Sequence, residues 1–431
     1  MKRGVVLGIV ASANLLFSFA FQWLLLTSLG PGRQTDAYFA AVIIPQITLS
    51  VVVGALVPVL VPLLATQSDE DYRRVGWAFL HLVAAVFGTL AVILGATAGY
   101  WVPLVYPGFE AATRMLTVEL VRIQLVAMVV AAMAAVPWAM NHARQRFVWA
   151  ETCPVIGGAL ALVALRAGLR PWGPRAAAWA SVLESAAQLL LLTPILRPYV
   201  RPRLAEHALH EAWRRLRPML GSTLFYKSDR VVDRYLASLA GPGGLSLIHL
   251  AQQICAGGLL IVSKAISAPL VPQLALDARQ AEWVRFRRQT RRALGLAVAV
   301  STAGVIAMWL VGEPLLTLIF AHGRFDPARI ADLRTLLIAL AGMAIGGSAG
   351  SVAANAFYAQ GETRLVAMVG ITGFVVGALT KVLAAARWGI LGVAVGASVH
   401  YLTIFLMLQL LLIARLRRRC TSSAQRALAE A

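Results

Sequence analysis

Apolar stretches of about twenty residues or more follow one another along almost the whole chain, each long enough to cross a ~30 Å hydrocarbon core as a helix. Inside such a core every backbone N–H and C=O must be satisfied by the protein, which leaves helices and closed barrels. The runs are continuous and do not break into short alternating segments, so a barrel is excluded and an all-α integral membrane fold is expected. Spans are predicted near 4–29, 36–65, 75–105, 117–140, 150–168, 174–196, 218–240, 245–272, 293–320, 331–359, 365–386 and 391–414. The first is too long for a signal-peptide core and ends in no small-x-small cleavage site, so it reads as an uncleaved first helix. Only 13% of the 431 residues are charged, about half the share of a soluble domain, which argues against an ordinary soluble enzyme, a disordered chain or a disulfide scaffold.

The charges are lopsided, 39 Lys and Arg against 19 Asp and Glu. With both termini placed in the cytoplasm, about 24 basic residues fall in inner segments and about 8 in outer ones, the bias of the positive-inside rule. The exception is the outer loop expected at Arg166–Arg175. Basic inner loops point to anionic membrane lipids as partners. Nucleic acid is not expected, because no basic stretch carries interleaved aromatics. Cys153, Cys255 and Cys420 lie far apart and the seven histidines form no H-x-x-x-H pair, so no metal or cofactor is expected. There is no G-x-x-x-x-G-K-[ST], so ATP is not the direct energy source; a membrane potential or an ion gradient is left.

The halves look related. A shift of 210 positions carries Ser28-Leu29 onto Ser238-Leu239, Ala41 onto Ala251 and Leu60-Val61-Pro62 onto Leu270-Val271-Pro272. Both Ser-Leu pairs precede a Gly/Pro turn, at 30–32 and 241–244. The shift spans six helices, which implies a parallel repeat about an axis along the membrane normal, with a central cavity between two lobes. The expected organisation is an N-lobe at 1–196, a basic linker at 197–217, a C-lobe at 218–414 and a basic cytoplasmic tail at 415–431. The linker reads equally as an amphipathic helix on the membrane surface and as a solvated connection.

Several stretches carry a family likeness: TDAYFAAVIIPQ (35–46), LVYPGFEAATRMLTVELVRIQL (104–125), MNHARQRFVWAETCPVIGG (140–158), VVDRYLASLAGPGGLS (231–246), FAHGRFD (320–326) and ANAFYAQGETRL (354–365). In this order they resemble the MurJ/MviN family of lipid II flippases, within the multidrug/oligosaccharidyl-lipid/polysaccharide exporter superfamily. The resemblance implies a multi-pass protein of the bacterial cytoplasmic membrane that moves a lipid-linked saccharide. Two departures stand out. The family's usual fourteen helices become about twelve, so the C-terminal pair that forms a lipid-tail groove is missing. The family's cavity arginines on helices one, two and eight are missing as well: ASANLLFSFAFQ (11–22), PQITLSVVVGA (45–55) and HLAQQICAGG (249–258) contain no Arg, and Gln22, Gln46, Gln252 and Gln253 there are polar but neutral.

The seventh span, 219–240, is the sharpest local signal. Lys227, Arg230 and Arg234 recur at i, i+3 and i+7, near one helical face, with Asp229 and Asp233 on the neighbouring one. Five ionisable groups in one span are too costly to face lipid and belong toward the bundle interior. There the three cations either attract a diphosphate or form a structural ion-pair network; both readings stand. Lys264, deep in the eighth helix, either holds an entering head group or snorkels to the interface. Lys381 in the eleventh helix needs a partner, Asp229 or Asp233 being candidates for pairing or for coupling to a cation. Gln46 and Gln253 are candidate cavity residues. Asp36 is expected to cap the second helix, Glu119 to pair with Arg122 at i, i+3, and Glu184 is an isolated acid. Pro45, Pro58, Pro62, Pro269 and Pro272 are expected to interrupt helices two and eight, and GMAIGGSAG (342–350) to allow close helix packing.

The function this reading favours is the flipping of an undecaprenyl-diphosphate-linked saccharide, lipid II or a related envelope precursor, from inner to outer leaflet by alternating access. Two rivals are an ion-coupled antiporter of small molecules, disfavoured by the basic seventh span, and a transport-inactive scaffold that recruits envelope-synthesis enzymes. No loop concentrates the acidic residues that a glycosyltransferase needs.

Overall fold

The computed structural model describes residues 2–202, Arg214 and residues 229–430, with backbone alone for residues 2–5, 55, 268, 418 and 420–430. Its elements are helices throughout. In chain order they are α1 (Lys2–Leu29), α2 (Arg33–Ala65), α3 (Asp69–Ala96), α4 (Ala98–Val105), α5 (Ala111–Ala143), α6 (Phe147–Trp172), α7 (Pro174–Leu192), α8 (Asp229–Ser238), α9 (Gly244–Val262), α10 (Ala268–Arg279), α11 (Trp283–Phe320), α12 (Pro327–Ala339), α13 (Ala341–Tyr358), α14 (Thr363–Trp388) and α15 (Ile390–Glu430). Among the described residues eleven helical segments are long and apolar enough to span a membrane. They match eleven of the twelve expected spans. The seventh is described only from Asp229, and the expected surface helix of 197–217 lies mostly outside the described residues. The outward faces carry large apolar side chains such as Val92, Leu104, Leu190 and Leu318, each more than 70% exposed. In water that would be an aggregation hazard; in a bilayer it is the lipid-facing surface of a multi-pass membrane protein.

Chain contacts form two compact units: Met1–Gly243 with His322–Phe325, and Gly244–Ala321 with Asp326–Ala431. The division falls after Gly243, where 217/218 was expected, so α8 belongs with the first unit. In that unit α5 is the central post, with Leu120, Val121, Leu125, Met128, Ala132 and Val136 buried. Tyr72 of α3 donates to the Met140 carbonyl at 2.6 Å and lies under the Arg144 guanidinium, which pairs with Asp69. The second unit's core joins Leu274, Phe286, Ala297, Val352, Phe357 and Leu408, from α10, α11, α13 and α15.

The turns repeat between the halves more faithfully than the side chains do. α6 and α14 are both 26 residues long and both end in Trp-Gly. Gly173 has φ 56°, ψ −134° and Gly389 has φ 55°, ψ −130°, a conformation that a Cβ forbids. The outer loop expected at Arg166–Arg175 is therefore a helix running to Trp172, with a tight turn at Gly173.

Other expectations need correction. The third span is split at Thr97 into α3 and α4, and the tenth at Leu340 into α12 and α13. α2 is not interrupted: it runs unbroken through Pro45, Pro58 and Pro62, as lipid requires, where an open ladder costs more than a bent one. The eighth helix does change character. Ser263–Ser267 forms a π-turn between α9 and α10. Pro269 lacks the N–H that would bond to the Ala265 carbonyl, and the wider turn absorbs the mismatch.

Candidate functional site

In the first unit, exposure changes along the described part of α8. Arg230 is exposed and Asp229 half-buried, whereas Asp233 and Arg234, one turn further on, are 4% and 3% exposed. That last turn is covered by the loop before α5: Gly108 is pressed against the Ser238 carbonyl, and Tyr106 is completely buried. The Tyr106 hydroxyl donates to the Ala40 carbonyl of α2 at 2.9 Å, and burial pushes its pKa up. Arg234 lies within electrostatic reach of Asp233, Tyr106 and Asp36. The cations expected to act together are thus separated by depth: Arg234 sits in a buried polar cluster, Arg230 stays accessible, and Lys227 lies outside the described residues.

Asp36 makes a contact that its place at a helix start does not suggest. At that start the Thr35 hydroxyl accepts the Gly32 N–H at 2.9 Å, one half of a capping box, since Gly32 has no side chain to supply the other. Asp36, 2% exposed, accepts the Gly243 N–H at 2.6 Å, which ties α2 to the turn after α8. Glu119 also takes a partner other than the expected one. It accepts two bonds from Arg175 of α7, at 2.5 and 2.8 Å, while Arg122 donates to the Gly95 carbonyl. A neighbour at i+3 is visible in sequence; a bidentate partner on another helix is not. Glu184 is half-buried on α7.

Neutral polar side chains line faces that sequence reasoning had noted only in part. On α1, Asn14 and Ser18 are exposed and Gln22 half-buried, at i, i+4 and i+8. On α2, Gln46 and Gly54 are exposed with Ser50 between them at the same spacing. The i, i+4, i+8 repeat is the signal that would have found both stripes.

In the second unit, α9 buries Leu247, Ile248, Leu250 and Ala251 and turns the opposite face outward. Gln253 is exposed there, and a Cβ added at Gly257 would meet nothing within 4 Å. Lys264, eleven residues after Gln253 and so only ~20° around the helix, is exposed on the π-turn. Such turns concentrate at functional sites. Lys381 is the opposite case, fully buried where α14 and α15 meet. Gly396 makes room for its stem: a Cβ there would lie 2.7 Å from the Lys381 Cα. Gly377 and Gly392 allow the same close approach beside His400 and the Ala384 carbonyl, the small-residue packing of membrane helices. Lys381 and the two candidate acids of α8 belong to different compact units. Among the described residues no group of three or more His, Cys, Asp or Glu side chains is placed to hold a metal.

The comparisons agree with this architecture. The family model described as "Lipid II flippase MurJ" matches residues 25–429. A probable lipid II flippase MurJ from Synechocystis sp. is 22% identical over 437 aligned positions, covering 93% of this chain and 80% of that protein. Its counterpart from Thermotoga maritima is 20% identical, covering 90% and 80%. Among solved structures, lipid II flippase MurJ in an inward closed conformation superimposes with a TM-score of 0.84 at 15% identity, over 97% of this chain and 91% of that one. An inward-facing multidrug resistance MATE family transporter gives 0.81 at 15% identity, over 95% and 96%. These two establish the fold, and the family match, running through nearly the whole sequence, establishes the kinship: the chain belongs to the lipid II flippase MurJ family.

Proposed function

We propose that the protein carries a polyprenyl-diphosphate-linked saccharide of envelope assembly, lipid II being the cargo named for its relatives, from the inner to the outer leaflet by alternating access. Both termini then lie in the cytoplasm. The observation that carries the reading is the outward face of α9, where Gln253 and Gly257 lead to Lys264 on a π-turn. It supplies hydrogen-bonding groups and one fixed cation to a cargo made of sugar hydroxyls and a diphosphate. Arg230 and Lys227 add cationic attraction, Gln46 a neutral contact. Arg234, beside Asp233, positions α8 rather than touching cargo, and buried Lys381 holds α14 to α15. Asp229 is the accessible acid that would pair with Arg230 or couple to a cation.

The test is reconstitution of the full chain in vesicles with fluorescent lipid II and, separately, other undecaprenyl-diphosphate-linked saccharides. Lys264→Gln is expected to slow flipping about tenfold, the effect of one charge-assisted contact worth about 1.4 kcal/mol, and Lys264→Arg to retain it. Equal rates for Lys264→Gln and the wild type would remove the assignment of this face. A wild-type chain that flips none of these donors would defeat the transport reading and leave the scaffold, which the missing family arginines favour.

A further inference from the structure

α11 is 38 residues long, about 57 Å at 1.5 Å per residue, and so outreaches a ~30 Å hydrocarbon core. Its first turns are strongly basic. Arg285 is engaged with Asp277 and Glu282, at 3.5 and 3.3 Å. Arg287, Arg288, Arg291 and Arg292 are all exposed, and none has a carboxylate partner among the described residues. Their spacing, i, i+1, i+4 and i+5, puts four guanidinium groups on one face. Beyond the arginines the exposed surface of α11 turns apolar, with Leu296, Val300 and Ile306 exposed.

Two openings in the second unit meet at this transition. One, of about 550 Å³, is lined by Val284 and the four arginines. The other, ≈ 680 Å³, is a groove lined by Gly295, Val298, Thr302 and Ile306 of α11 with Phe405 and Gln409 of α15, and Arg291 stands in both linings. A Cβ added at Gly295 would meet nothing within 4 Å, so the groove floor is open there. From Arg291 to Ile306 the groove follows α11 for about 22 Å, enough to accommodate a chain reaching through one leaflet's ~15 Å share of the core.

We propose that this is a binding site for an anionic phospholipid of the surrounding bilayer, its phosphate held by Arg287, Arg288, Arg291 and Arg292 and one acyl chain lying in the groove between α11 and α15. Planar guanidinium forks match phosphate oxygens in pairs, and four of them without internal acids leave a net positive charge that a zwitterionic head group does not neutralise. A free phosphate would leave the groove empty. Both the groove and the exposed side chains beside it are of the kind that meets bulk lipid, which favours a bilayer phospholipid over the transported cargo.

The experiment uses the purified full chain in non-ionic detergent, titrated with dioleoyl phosphatidylglycerol, dioleoyl phosphatidylcholine or undecaprenyl diphosphate, with retention read by native mass spectrometry. Phosphatidylglycerol is expected to be retained well above phosphatidylcholine. Each arginine near an anionic surface contributes about fivefold, so the Arg287→Gln/Arg291→Gln variant should bind phosphatidylglycerol about 25-fold more weakly. Gly295→Leu fills the groove and leaves the arginines in place; it should also weaken phosphatidylglycerol. Circular dichroism of both variants, whose replaced positions are exposed, serves as the folding control. Wild-type retention by the double arginine variant, equal retention of phosphatidylcholine, or displacement of phosphatidylglycerol by equimolar undecaprenyl diphosphate would overturn the proposal, and unchanged binding by Gly295→Leu would overturn its acyl-chain half.

Discussion

Replacing Asp36 by Ala removes two things at once. The carboxylate accepts the Gly243 N–H at 2.6 Å, and it lies within electrostatic reach of Arg234, which is 3% exposed. Leaving a buried donor unsatisfied costs about 1–3 kcal/mol. Breaking a buried charge pair costs about 3–5 kcal/mol, but Asp233 still neutralises part of the Arg234 charge, so the second effect should fall below that range. Asp36→Ala is therefore expected to destabilise the protein by about 3 kcal/mol. Asp36→Asn, which keeps an acceptor oxygen for Gly243, should cost about half as much. The assay is loss of helical circular dichroism on titration with a denaturing detergent in mixed micelles, with Asp36→Ala made also in an Arg234→Met background. If the two residues share one cluster, the cost of Asp36→Ala should shrink by about 1 kcal/mol or more in that background. A cost for Asp36→Ala within about 0.5 kcal/mol of wild type, the range of ordinary surface changes, or full additivity in the double variant, would refute the reasoning.

Three other outcomes follow from the packing and charge. Gly396→Ala sets a Cβ 2.7 Å from the Lys381 Cα and 2.8 Å from its N, so α14 and α15 must part, at a cost of about 1–3 kcal/mol; Gly304→Ala, whose Cβ meets nothing within 4 Å, should be neutral or gain up to about 1 kcal/mol in the same titration. Glu119→Gln breaks a bidentate pair whose side chains are about half exposed, so it should cost no more than about 1 kcal/mol and less as salt is added; a larger, salt-insensitive cost would count against a surface pair. Burial holds the Tyr106 hydroxyl protonated beyond about pH 10, where an unfolded chain's tyrosine ionises, so its contribution falls as pH rises past that value. Tyr106→Phe should lose about 1 kcal/mol at neutral pH with the bond to Ala40, yet decline less steeply in alkali, and a steeper alkaline decline would contradict the burial argument.

Span number and type were legible because the length of an apolar run is set by bilayer thickness, and that constraint acts on each segment separately. Breaks inside an apolar run were not: nothing local marks Leu340, and the halt at Thr97 comes inside a run without a charged residue. The π-turn at Ser263–Ser267 was half legible, since Pro269 announces a missing donor but not how the backbone absorbs it. Partners were the weakest reading. Glu119 has a cation at i+3, and periodicity offers that pair first, but Arg175 presents both guanidinium nitrogens from another helix and wins by geometry. Asp36 follows the same logic. A helix start suggests a cap, and the carboxylate accepts a bond from 207 residues away in sequence. The candidate site was legible as chemistry, in the cations of α8 and in Gln46, Gln253 and Lys264, but not as exposure, which divides Arg230 from Arg234 by a single turn.

That division bears on how a cargo is gripped. An arginine on an aqueous path must stay solvated in every state the path adopts, and binding a diphosphate to it exchanges strong hydration for strong bonds. Neutral amides and hydroxyls, such as Asn14, Ser18 and Gln22 on α1 or Gln46 on α2, exchange water for a sugar hydroxyl at a net gain near 1 kcal/mol per bond, so they hold and release with little cost either way. Under the proposed function, the electrostatic share of recognition then rests on the exposed cations, Lys264 and Arg230. A lysine there acts as a point charge without a fixed fork, which suits a group that must follow a moving phosphate. Specificity among lipid-linked saccharides would come from the stripes, and the selectivity between glycans should change with substitutions at Gln22 or Gln46 more than with substitutions at Lys264.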